Sequence, residues 1–165
     1  MREIIMEITV GMGEIGVAKA PHLLMAIGLG SCVAVAVYDK ETKTGGLAHI
    51  VLPYIKEAQD HSHPTRFTDV AIDEMIDQMK RQGARIQNIM AKIFGGANMF
   101  PELISLASTM DVGKRNILAV RDELKRHNIP ITAEDVGDHV GRTIIFDTRD
   151  GSVVVKTAHL EASKY

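Results

Sequence analysis

Between Val33 and Tyr38 every second residue is β-branched, with alanines between the valines, a period of two that predicts a buried strand. The apolar stretch His22 to Ile27 predicts another, and Gly28-Leu29-Gly30-Ser31-Cys32 joins them. Pro21 to Tyr38 carries no formal charge over 18 residues, the length at which a membrane span is suspected. Gly28, Gly30 and Ser31 break that stretch at its centre, so two buried strands joined by a turn are expected, with no membrane insertion.

The pattern elsewhere alternates short strands with two helices. Glu3 to Val10 is expected as a first strand and the surroundings of Val17-Ala18 as a second, with Gly11, Gly13 and Gly16 marking the loop before it. Thr42 to His49 returns antiparallel to the valine strand, and Pro53 stops it. Either Thr65 or Thr68 serves as N-cap of a helix that puts Phe67, Val70, Ala71, Met75, Ile76 and Met79 on one face and ends at Gly83. Asn88 to Ile93 is a buried strand. It runs into Gly95-Gly96, a pair that serves a tight turn or a close backbone approach. Pro101 to Asp111 is a loop, and a second helix from about Gly113 to His127 turns Ile117, Val120 and Leu124 inward. Ile131 to Asp135, Thr143 to Phe146 and Ser152 to Lys156 are strands, and Glu161 to Tyr165 is a frayed tail. Strands and hairpins mix without strict βαβ alternation. The expected fold is α+β, a layered sandwich of mixed or antiparallel sheet with flanking helices, in one domain over 1–165.

Composition narrows the function. With 165 residues and 45% hydrophobic content the chain buries one sizeable core. Lys+Arg 19 against Asp+Glu 21 leaves no basic block to track phosphates, which argues against nucleic acid as a partner. Cys32 is the only cysteine, so no internal disulfide forms. Together with the charges that interrupt the N-terminal apolar run, this points to a reducing cytoplasm. His61 and His63 are expected as solvated loop histidines. No metal site and no cofactor is expected.

The remaining chemistry is the pair Cys32 and His49. Nothing helical follows Cys32 to stabilise its thiolate, so a neighbouring base must activate it, and His49 is the nearest downstream. If the hairpin tip is Lys40-Glu41, Cys32 lies directly opposite His49. Opposed residues share a face with Cα atoms roughly 4.5–5.5 Å apart, within reach of a thiol–imidazole hydrogen bond. Gly45-Gly46 could insert a bulge and shift that register. Taken singly, a lone cysteine among small residues is more often an apolar filler, and a lone buried histidine is more often a structural one.

Five blocks lift the pair above that background: Gly28-Leu29-Gly30-Ser31-Cys32-Val33, His49-Ile50-Val51-Leu52-Pro53, Lys92 to Phe100, Val112-Gly113-Lys114-Arg115-Asn116, and Ala133 to Gly137 ahead of Gly141-Arg142. In this order the chain resembles the CheD family of chemoreceptor glutamine deamidases of bacterial and archaeal chemotaxis. The resemblance implies a layered α/β fold like that of toxin deamidases, with Cys32 as nucleophile and His49 as base. Backbone N–H groups around Gly30 and Ser31 would hold the oxyanion, and Gly95, Gly96 and Phe100 would form a rim for the substrate. It implies conversion of receptor glutamines to glutamates, with methyl-ester hydrolysis by the same chemistry. Methyl-accepting chemotaxis receptors and a CheC-type phosphatase are the implied partners, and the chain would be recruited to receptor arrays at the inner membrane face. The alternative is a mainly non-catalytic module that docks on CheC and receptors. Two positions depart from the family's pattern. Its third catalytic position, a threonine six residues before the cysteine, is Ala26 here, so a hydroxyl restored at that position is expected to raise the rate. Asp138 stands where a second glycine is expected after Gly137.

Overall fold

In the computed structural model, which describes residues 3–102, 111–158 and 161–165, ten strands form two five-stranded sheets. Along the chain run β1 (Glu7–Thr9), β2 (Ile15–Lys19), β3 (Leu23–Leu29), β4 (Val33–Asp39), β5 (Thr44–Ile50), α1 (Thr68–Arg81) and β6 (Ile89–Gly95). Then follow α2 (Val112–Arg126), β7 (Ile131–Val136), β8 (Arg142–Asp147), β9 (Val153–Lys156) and β10 (Ser163–Lys164). One sheet has the order β1-β3-β8-β9-β10 and the other β2-β5-β4-β6-β7. Both helices cover the outer face of the second sheet, and the first sheet covers its inner face. The result is the expected α+β sandwich.

The valine and alanine alternation explains this layering. Val33, Val35 and Val37 pack with Ala71, Ile72, Met75 and Met79 of α1 and with Ile117, Val120 and Leu124 of α2. Ala34 and Ala36 face the other way, against Leu24, Leu29, Ile144 and Phe146. Each fully buried valine stabilises by about 1.5–3 kcal/mol, and the alanines let the two sheets approach. The chain changes sheet through Gly30-Ser31-Cys32. The strands on either side of this turn therefore lie in different sheets.

Expectations are corrected at four places: the hairpin tip, the N-cap of α1, the tail and the first strand. The hairpin tip is the four-residue stretch Lys40–Lys43, closed by Lys43 at φ 51, and Ala34 rather than Cys32 is paired with His49. The shift is by two residues, so Cys32 and His49 remain on one face as a diagonal pair. Gly45-Gly46 makes no bulge. The pairs run unbroken from Asp39↔Thr44 to Val33↔Ile50, and the missing side chains admit Phe146 on one face and Met75 and Met79 on the other. Neither threonine caps α1: the N-cap is Phe67, while Thr65 Oγ1 donates to the Gly13 carbonyl at 2.6 Å and Thr68 Oγ1 to the Leu52 carbonyl at 3.0 Å. The tail is docked, since Tyr165 exchanges both backbone hydrogen bonds with Val153 and its hydroxyl donates to Asp135 at 3.0 Å. The expected first strand also shortens to Glu7–Thr9, and most of the expected loop from Pro101 to Asp111 lies outside the described residues.

Arg126 and His127 join α2 to Asp73 of α1, with Arg126 also on Glu123. Asp73, Glu123 and His127 could together hold a cation, but the guanidinium already bridges the two carboxylates. Asp39, buried where β4 ends, accepts from the backbone N–H of Glu41, Thr42 and Arg85. Burial alone would raise its carboxyl pKa; these donors outweigh it and hold the group below the usual carboxylate range. Its contribution is therefore complete above the ordinary carboxylate pKa and is lost as pH falls through the lower folded value. Asp39→Ala is expected to lower stability by about 2 kcal/mol at neutral pH, read from urea unfolding.

Candidate active site

His49 is anchored through its ring and its backbone. The ring Nδ1 lies 2.9 Å from the Val10 carbonyl oxygen. A carbonyl only accepts, so Nδ1 carries a proton, and in the neutral ring Nε2 holds the lone pair. Nε2 is buried and has no partner among the described residues. The His49 amide donates to the Glu14 carbonyl, and its own carbonyl accepts from Gly13. The loop between β1 and β2 thus grips the imidazole from one side. This supplies an orienting group without a hydroxyl at position 26.

Cys32 directly precedes β4 and shares the inter-sheet face of His49. A diagonal pair across antiparallel strands has Cα atoms roughly 7–8 Å apart, and the expected thiol–imidazole hydrogen bond is not made, since His49 Nε2 has no hydrogen-bond partner among the described residues. The thiol is 8% exposed and His49 3% exposed. Burial pushes the Cys32 thiol up from its ordinary value, partly offset by its own backbone N–H. The resting group is therefore the neutral thiol.

The turn ahead of Cys32 is held by its carbonyls. Gly30 O accepts from Ala97 N at 2.8 Å, Cys32 O from Gly96 N at 2.8 Å, and Ser31 O from Asn116 Nδ2 at 2.9 Å. The amides of Gly30, Ser31 and Cys32 donate to no backbone carbonyl among the described residues. Gly95 and Gly96 lie buried behind this turn. Gly95, at φ 104, brings its Cα so close to the Cys32 carbonyl that an added Cβ would sit 2.3 Å from the oxygen, and Gly96, at φ 67, packs against Ile117. Turn and close approach are both realised. Phe100 and Met99, at 66% and 43% exposure, stand at the surface instead, on a cleft of about 220 Å³ lined also by Ser31, Asn98 and Gly113. Ala26 is buried in the inter-sheet core, one residue beyond Met25, whose carbonyl accepts from Val10 N. Asp138 adopts φ 57, a conformation that suits glycine and is tolerated by aspartate, and its carbonyl accepts from Asn98 N. Another cavity, about 260 Å³ beside Tyr38, Lys92 and Phe146, opens at the far end of β4 from Cys32.

Two functional features escaped the sequence reading. The Val10 carbonyl is backbone, which no residue type announces. Asn116 is fully buried on the inward stripe of α2, and a polar residue on an otherwise apolar stripe is a readable mark.

A thiol and an imidazole on a shared sheet face are groups with which nucleophilic hydrolysis can be done. The comparisons give the family. The family profile described as CheD chemotactic sensory transduction matches residues 51–157. A Clostridium tetani protein named probable chemoreceptor glutamine deamidase CheD is 47% identical over 92% of this chain and 91% of its own. Relatives with the same name from Clostridium acetobutylicum, 42% identical over 99% and 98% of the two chains, and from Caldanaerobacter subterraneus, 43% over 90% and 91%, also match. The chain belongs to the CheD family. Among solved structures, the Bacillus licheniformis hypothetical protein YfiH matches at 17% identity and TM-score 0.46, covering 73% of this chain and 49% of that one. Among the described residues no helix is long and apolar enough to cross a membrane.

Proposed function

We propose that this chain converts glutamine side chains of chemoreceptors to glutamate, with Cys32 as nucleophile and His49 as the proton carrier. The observation that carries the reading is His49 itself: Nδ1 bonded to the Val10 carbonyl, and Nε2 buried without a partner among the described residues, on the face that bears the chain's only thiol. Nε2 takes the Cys32 proton as the sulfur–carbon bond forms at the carboxamide. The carbonyl π electrons move to oxygen, where the amides of Ser31 and Cys32, which donate to no backbone carbonyl among the described residues, receive the charge. Collapse breaks the carbon–nitrogen bond, and the His49 proton leaves with ammonia. Water then attacks the thioester, giving its proton to His49, and cleavage of the sulfur–carbon bond restores the thiol and releases glutamate. A methyl ester is hydrolysed by the same steps with methanol as leaving group.

Met99 and Phe100 offer an exposed apolar edge to a receptor helix or to a CheC-type phosphatase at the rim of the cleft. This edge also favours the second reading, a module that binds without turnover. The test is mass spectrometry of receptor peptides incubated with the protein. A single-dalton gain at a glutamine, absent without the protein, supports deamidation; binding with no gain in mass supports the module.

The raised thiol pKa gives a signature. Since the resting group is the neutral thiol and the proton moves only during attack, alkylation of Cys32 by iodoacetamide is expected to accelerate steadily from pH 6 to pH 9, about tenfold per unit. Stopped-flow or quenched alkylation over that range checks it. A plateau reached below pH 7 would reveal a standing thiolate–imidazolium pair.

A further inference from the structure

Asn116 is fully buried, and both hydrogens of its amide are used: Nδ2 lies 2.9 Å from the Ser31 carbonyl and 2.9 Å from the Val51 carbonyl. Ser31 precedes the nucleophile, and Val51 lies two residues after His49. One side chain therefore ties the entry of β4 to the exit of β5, at the end of the sheet where the thiol and imidazole sit. Its Oδ1 is buried with no partner among the described residues, a cost that an apolar residue would avoid. Gly113 brings α2 close enough for this contact: a Cβ there would lie 2.6 Å from the Gly96 and Ala97 carbonyl oxygens.

The consequence follows from peptide geometry. In a trans peptide the C=O and the following N–H point in opposite directions. Holding the Ser31 carbonyl on Asn116 turns the Cys32 N–H away from α2, and that amide meets no carbonyl among the described residues. An amide on the nucleophile's own residue lies next to the carbon that the sulfur attacks. Electrostatic stabilisation depends on such a donor being aimed before the reaction begins.

We propose that Asn116 is a positioning residue that aims the Cys32 backbone N–H at the developing oxyanion by holding the Ser31 carbonyl. The inference rests on the reading of Cys32 as nucleophile, and the experiment separates the two. Deamidation and iodoacetamide alkylation of Cys32 are measured for the parent, Asn116→Ala and Asn116→Asp. Alkylation displaces iodide at a saturated carbon and passes through no oxyanion. Asn116 variants are expected to lose about 10²- to 10³-fold in kcat for deamidation with little change in KM, while alkylation keeps its rate within a few-fold. Equal loss in both reactions, or loss in neither, overturns the proposal and makes Asn116 a plain structural clamp. Parent protein that never deamidates overturns the catalytic reading itself. If the variants do not fold, the parent alone decides. A receptor peptide carrying glutamate semialdehyde in place of glutamine adds the Cys32 thiol across its aldehyde, forming a hemithioacetal whose oxygen occupies the oxyanion position. The Cys32 amide proton, followed by NMR, is expected to move downfield on addition of that peptide. An amide proton that stays in place while the adduct forms overturns the proposal.

Discussion

Cys32→Ser is expected to reduce deamidation of a receptor peptide by roughly 10⁴-fold or more while leaving the unfolding transition within about 1 kcal/mol of the parent. Serine nearly preserves the volume of a side chain that is 8% exposed, so the packing around Leu29, Ala34 and Phe94 is retained. The chemistry is not retained. A hydroxyl is a far weaker acid than a thiol and needs a stronger base to leave its proton behind. His49 is oriented by the neutral Val10 carbonyl rather than by a carboxylate, so among the described residues no carboxylate bonded to the ring stabilises the imidazolium that proton transfer creates. This site is suited to a thiol. Initial rates and urea unfolding for parent and variant check both halves. Activity within tenfold of the parent would end the cysteine mechanism.

How much of this was legible in the chain depends on the kind of contact involved. Most of the buried face of α1 followed from spacing, because Ala71, Met75, Ile76 and Met79 repeat on one side whatever they pack against, but Ile72 is buried there while Val70, expected on that face, is only half-buried. Cys32 and His49 were placed on one face by a register that was wrong by two residues. The even shift preserved the facing but turned a direct pair into a diagonal one. Hairpin periodicity encodes which face a residue takes; loop length sets its partner, and the turn at Lys40–Lys43 carries no residue that dictates four positions over two. Thr65 and Thr68 were misread because a hydroxyl that can cap a helix can equally donate to a passing loop, and the loops here arrive from Gly13 and Leu52. The pairing of β3 with β8 joins segments far apart in sequence, and nothing local encodes it.

Ala26 shows the same limit at the site. The family's pattern implied that a missing hydroxyl leaves the histidine without support, and hence that Ala26→Thr raises the rate. The ring nitrogen that such a hydroxyl would serve is already bonded to Val10. That motive for a gain falls away, and Ala26 becomes a small residue that lets β3 pack against the neighbouring sheet. A backbone acceptor is insensitive to the residue type that presents it, so no inspection of Val10 as a letter could have found it.

Gly95→Ala is expected to be the most damaging single methyl in the chain, lowering stability by about 3 kcal/mol or more and slowing deamidation with it. Two effects add. Gly95 adopts φ 104, where an L side chain is strained, and an alanine Cβ would lie 2.3 Å from the Cys32 carbonyl oxygen. That oxygen is backbone, and it accepts from Gly96 N at 2.8 Å, so it cannot swing aside as a side chain would. Relief requires the end of β6 to move away from the start of β4, which carries Cys32 with it. Gly137→Ala separates the two contributions. It also has positive φ, at 84, but meets nothing within 4 Å, so it incurs only the conformational strain of about 1–2 kcal/mol and should leave the deamidation rate unchanged. Urea unfolding and initial rates on the parent and both variants provide the measurement. If Gly95→Ala proves no worse than Gly137→Ala in either reading, the backbone contact behind Cys32 is loose, and the close approach of the two glycines does not hold the nucleophile in place.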